Sequence, residues 1–78
     1  MTIAATLNGQ PFSTPFKIYD SAGKQVRKNW TQNGQRTEML AEGIYTIKVI
    51  NIKNNKQVMT FENVGVKTGE TTERTGSF

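Results

Sequence analysis

Apolar and polar residues alternate at a spacing of two, turn residues separate the alternating bursts, and helix formers are scarce, so this 78-residue chain is expected to be all-β. The expected architecture is a small antiparallel sandwich of seven short strands in two sheets. Thr, Val, Ile, Asn and Gly run through the whole chain, and no window keeps apolar residues at i, i+3, i+4 and i+7. Alternating strands need a second apolar face to cover them, which favours a sandwich. A closed five-stranded barrel is the runner-up, and it would have to absorb the first and last strands as extensions.

The first strand is expected near residues 2–8, where Ile3, Ala5 and Leu7 alternate ahead of Asn8-Gly9. Pro11 and Pro15 cannot donate to a ladder, so residues 10–15 form an edge or a link and the second strand starts close to Phe16. Asp20-Ser21-Ala22-Gly23-Lys24 supplies an acceptor side chain and a flexible Gly for a hairpin connection. In the third strand Val26, Lys28 and Trp30 fall on one face, and Arg27, Asn29 and Thr31 on the other. Asn33-Gly34 is a strong two-residue turn, because both positions tolerate positive φ, and a fourth strand is expected over Arg36–Leu40.

The stretch Leu40-Ala41-Glu42-Gly43-Ile44-Tyr45 places a turn directly before the longest alternating run, with Tyr45, Ile47 and Val49 on one face of a strand reaching about Ile52. Its other face carries Ile44, Thr46, Lys48 and Ile50, so this strand should be central. Tyr45 is expected to plug the end of the sandwich with its ring while its hydroxyl reaches a backbone group or water. Lys53–Lys56 and Lys67–Glu70 then make polar turns around a sixth strand, Val58–Asn63, and a seventh, Thr71–Phe78.

Composition excludes several classes of function. Cys and His are both absent, which rules out a disulfide framework, a thiolate metal site and a Ser-His or Cys-His nucleophile pair. No metal site and no cofactor are expected. Hydrophobic residues make up 35% of the chain and the net charge is +4, a modest basic excess for a domain with room for one small core. The longest apolar runs are a few residues, far short of the ~20 that span a bilayer, and residues 1–5 lack the features of a signal peptide. One module over residues 1–78 is expected, a monomer, and the stop at Phe78 within a strand suggests a segment cut from a larger multi-module protein.

The six carboxylates, Asp20, Glu38, Glu42, Glu62, Glu70 and Glu73, sit at turns or strand ends and read as solvated rather than as an acid-base pair. Asp20 is the only Asp, so the alternating oxygen ligands of a calcium loop are missing. Asn29-Trp30-Thr31 matches a glycosylation acceptor by chance frequency alone. One basic and aromatic constellation stands out: Arg27, Lys28, Trp30 and Arg36, around the hairpin closed by Asn33-Gly34. Trp stacks on flat partners and the cations add a salt-sensitive attraction, so these four residues form a candidate surface for acidic polysaccharide or nucleic acid. Against this, Lys and Arg on strand edges discourage edge-to-edge aggregation, and a lone Trp is commonly packing.

Three stretches taken together, Phe16–Val26 (FKIYDSAGKQV), Leu40–Val49 (LAEGIYTIKV) and Glu62–Glu73 (ENVGVKTGETTE), resemble the carboxypeptidase regulatory-like and transthyretin-like modules. The resemblance is greatest to those repeated in bacterial exported proteins, often beside a von Willebrand factor type A domain. It implies a seven-stranded immunoglobulin-like, or transthyretin-like, sandwich acting as a non-catalytic spacer or adhesion-type accessory of a periplasmic or extracellular parent. The implied partners are other domains of the same chain, protein or polysaccharide, with nucleic acid a weaker expectation. Related adhesin modules form a Lys-to-Asn isopeptide bond, but Lys17 lies on the polar side of its strand and Thr71–Phe78 contains no Asn. An enzyme is the weakest reading.

Overall fold

Two Asn-Gly pairs reverse the chain in its first half. Asn8-Gly9 and Asn33-Gly34 both adopt positive φ, 52° and 81° in the first and 54° and 92° in the second, the geometry that suits a two-residue hairpin turn. The computed structural model, which describes residues 1–78, contains eight strands: β1 (Thr2–Leu7), β2 (Gln10–Pro11), β3 (Pro15–Tyr19), β4 (Gln25–Trp30), β5 (Gln35–Thr37), β6 (Gly43–Ile50), β7 (Val58–Val66) and β8 (Glu73–Ser77). The additional strand relative to the expected seven is β2, a two-residue edge built on the Asn8-Gly9 hairpin, with Thr6 opposite Pro11 and Leu7 opposite Gln10.

The strands form two four-stranded sheets. In sheet A, β1 pairs antiparallel with β2 at one end and with β5 at the other, and parallel with β8 along Thr2–Thr6. The parallel β1–β8 pair departs from the all-antiparallel expectation; it arises because the chain returns from sheet B beside the strand on which it started. Sheet B is antiparallel in the order β4-β3-β6-β7, so β6 is central as its two apolar faces require. The two sheets are separate stacks, and no closed barrel forms.

The core lies between them. Ile3 and Ala5 of β1 face Phe16 and Ile18 of β3, Tyr45, Ile47 and Val49 of β6, and Val64 and Val66 of β7, with Phe12 at the margin. Each large aliphatic side chain moved fully out of water contributes roughly 1.5–3 kcal/mol, so this cluster dominates the stability of so short a chain. The sheets approach closely at Gly76: a Cβ there would lie 3.0 Å from Cγ1 of Val49. Phe78 closes the end of the core, edge-to-face against Phe12 at 6.3 Å between ring centroids.

The chain crosses between sheets at residues 12–14 and 31–34, and two fully buried threonines tie the crossings together. The Thr31 hydroxyl donates to the Phe12 carbonyl at 2.7 Å and accepts the Thr14 N–H at 3.0 Å. The Thr14 hydroxyl in turn donates to the Ile50 carbonyl and accepts the Ile52 N–H. Buried hydroxyls satisfied in this way cost little, whereas unpaired ones would be expensive. Tyr45 occupies the opposite end as its position predicts, buried, with its hydroxyl donating to the Ala41 carbonyl at 2.7 Å.

Several boundaries differ from the alternation. The fourth expected strand stops at Thr37, because Glu38 turns inward to an ionic cluster; the sixth continues to Val66 through a bulge at which Asn63 takes φ 54°. The fifth ends at Ile50 and the last spans only Glu73–Ser77. A second bulge, where β4 passes Ile18 and Tyr19, shifts the phase of β4, so Val26 packs against the core instead of sharing the face of Lys28 and Trp30.

Candidate functional site

Period-two alternation assigns the residues of the β3–β4 hairpin and the central β6 to opposite faces of sheet B. Phe16, Ile18, Ile47 and Val49 point inward and are fully buried, which sends Lys17 and Lys48 outward. Lys28 pairs across strands with Lys17, and Lys17 with Lys48, so three lysines stand in one row of backbone positions on adjacent strands. Next to it runs an apolar row. Trp30 pairs with Pro15, Ile50 pairs with Val58, and the Phe16–Val49 register places Pro15 and Ile50 alongside each other. Trp30 and Val58 are each 44% exposed.

The structure therefore divides the four residues singled out by sequence. Lys28 and Trp30 lie on the outer face of sheet B. Arg27 and Arg36 instead converge on Glu38 at the flank where β4 meets β5. The Arg36 Nε donates to Glu38 Oε1 at 3.3 Å, Arg27 Nε lies 3.8 Å from Oε2, and Asn29 Nδ2 donates to Oε1 at 3.1 Å. Arg27 also donates to the carbonyls of Val26 and Met39. Glu38, expected to be solvated, is buried as the acceptor at the centre of this cluster; it carries the side chain across the open seam between the sheets, and its desolvation is offset by three donors.

Glu42 does the same for the turns at the Tyr45 end on a smaller scale. Its Oε1 accepts the Thr68 N–H at 2.8 Å, and this backbone hydrogen bond, assisted by the Thr68 side chain, holds its carboxyl below the ordinary glutamate value. Asp20 caps its own turn, accepting the N–H groups of Ala22 and Lys24. A shallow groove of about 420 Å³ lies beside Lys48, bordered by Tyr19, Asp20, Thr46 and Glu62. Within it the Lys48 ammonium sits 5.3 Å from the centre of the Tyr19 ring. No three acidic or metal-ligating side chains come together, and no helix is long and apolar enough to cross a membrane.

The lysine row was in principle legible, since Lys17 and Lys48 each alternate with buried apolar residues. What sequence alone did not supply was the strand order that sets β3 between β4 and β6.

The geometry offers an organised surface on the outer face of sheet B. No curated protein and no solved structure matches the chain. The family model of the secretion system C-terminal sorting domain matches residues 1–63, from the residue before β1 to the bulge in β7. With four-fifths of its length so matched, the chain belongs to the family of secretion system C-terminal sorting domains, non-enzymatic sorting elements of exported proteins.

Proposed function

We propose that this chain is the sorting module of a larger exported bacterial protein, a non-catalytic sandwich that directs its parent through a type IX secretion system to the cell surface or beyond. The observation that carries this reading is the extent of the family match. Residues 1–63 take in β1 to β6 and most of β7, so the likeness follows the folded sandwich rather than a short peptide tag. A sorting element needs no reacting groups, and the absence of His and Cys is compatible with that role. The likeness to carboxypeptidase regulatory-like and transthyretin-like modules belongs to the same proposal as a statement about architecture, resting on Phe16–Val26, Leu40–Val49 and Glu62–Glu73 taken together. The spacer role inferred from that likeness becomes secondary.

The test is a passenger protein bearing a signal peptide, expressed with and without residues 1–78 fused behind it in a bacterium that has this secretion system. Appearance of the passenger at the surface or in the medium only with the module supports the reading. Equal retention of both forms in the periplasm refutes it.

A further inference from the structure

Three lysines in register on neighbouring strands are an unfavourable arrangement for the free molecule. Like charges directly opposite one another across a sheet destabilise it, and the only carboxylate within 4.0 Å of any cation in this chain is Glu38, which serves the two arginines on the flank. Lys17, Lys28 and Lys48 thus have no ion-pair partner. Beside the row, one edge of the same face presents the exposed Trp30 ring next to Pro15, Ile50 and Val58.

We infer that the outer face of sheet B binds an acidic polysaccharide, its carboxylates on Lys17, Lys28 and Lys48 and a sugar ring stacked on Trp30. The residues beside the charges favour this ligand. The Lys28–Lys17–Lys48 register gathers three cations on neighbouring strands, which suits a flexible chain carrying carboxylates along its length. The exposed Trp30 beside them offers a flat platform on which a sugar ring stacks, a partner that an acidic peptide lacks. Single-stranded nucleic acid calls for several free aromatic platforms; here Trp30 is alone, because Tyr19 is covered by the Lys48 ammonium. The face is open and shallow, which suits a polymer passing across it more than an enclosed small molecule. This surface is independent of the sorting reading, since purified chain can bind whether or not it directs export.

Trp30 is the only tryptophan, so its fluorescence reports directly on the face. Purified chain is titrated with polygalacturonate, and with dextran, polyglutamate and oligothymidylate as comparisons. Saturable binding of polygalacturonate is expected, weaker at about 300 mM than at about 50 mM salt because exposed charges are screened. Replacing the row together (Lys17→Gln, Lys28→Gln and Lys48→Gln) should weaken it by about tenfold, as three exposed ion pairs allow. Trp30→Phe, read by calorimetry, should weaken it by roughly twofold to fivefold. Polygalacturonate binding no better than dextran, or binding the triple variant as well as the unmodified chain, overturns the proposal. Tighter binding of polyglutamate or oligothymidylate also overturns it and reassigns the face. The triple variant must retain the unmodified melting transition or a higher one; unfolding would be contrary to the outward-facing position given to these lysines.

Discussion

The two faces of sheet B are made by the same strands and share almost no chemistry. On the inner face Phe16, Ile18, Ile47 and Val49 are fully excluded from water and touch sheet A. One residue away along the same backbone, a half-buried Lys17 and an exposed Lys48 face outward beside an unpartnered Lys28 and a half-exposed Trp30. The difference teaches that stability and recognition are separable here at single-residue resolution: the pleat makes neighbours in sequence into occupants of different environments.

The contrast is broken most severely from inside. Phe16→Ala should cost about 3–5 kcal/mol, the range for emptying a buried phenylalanine site, which is a large share of the stability available to a chain of this length. Urea unfolding measures it, and a loss below about 1 kcal/mol would mean that the inner face does not form the core. Glu38→Ala should follow at roughly 1–3 kcal/mol, because Asn29, Arg27 and Arg36 lose their shared acceptor on a seam that water only partly reaches; the half-exposed arginines keep the figure from rising further.

Gly76→Ala probes the distance between the sheets. Its Cβ would press on Val49 at 3.0 Å, within a fully buried site, and about 1–3 kcal/mol of destabilisation is expected from overpacking. Adding Val49→Ala should recover part of that loss, and strict additivity of the two changes would place the sheets further apart. On the outer face the sign reverses. Lys17→Gln should raise stability by a few tenths of a kcal/mol by relieving repulsion from Lys28 and Lys48; a clear decrease would show that Lys17 makes a contact its position does not predict.

The smallest effect is acid-dependent. The Glu42 carboxyl titrates below its ordinary value in the folded chain because it accepts the Thr68 N–H, so its contribution is fully present above the unfolded value of 4.5 and is lost as the pH falls through the folded value. Glu42→Gln should lower stability slightly at neutral pH, where the carboxylate contributes in full, and flatten the acid part of the profile, so that the two chains converge as the pH falls. An identical acid slope in the variant would assign the slope to other carboxylates.

Local signals in the sequence carried much of this. The Asn33-Gly34 turn, the Tyr45 plug and the alternation of β3 and β6 are set by nearby residues and stand as read. The β4–β5 hairpin expected around Asn33-Gly34 does not form, because the turn carries the chain from β4 in sheet B to β5 in sheet A, where β5 pairs with β1. Long-range contacts were not legible in the same way. The Asn8-Gly9 turn announced a hairpin, but Pro11 disguised its two-residue partner strand. The parallel return of β8 onto β1 joins residues some seventy positions apart, with no local mark. Glu38 looked like a surface carboxylate because two of its three donors, Arg27 and Asn29, arrive from β4 in the other sheet, and Val26 changed face through a bulge that no spacing rule registers. The candidate surface was half legible: Lys28 and Trp30 were singled out, while Lys17 and Lys48 joined them only once strand order was known.

The most direct test of the account is to follow export of the passenger fused to residues 1–78 in unmodified form, with Phe16→Ala, and with Lys17→Gln. If the folded sandwich is the sorting element, delivery should fall with the folded fraction in the Phe16→Ala form and stay unchanged in the Lys17→Gln form. Undiminished delivery by a Phe16→Ala module that is shown to be unfolded would contradict it, and would place the sorting information in a linear stretch of sequence.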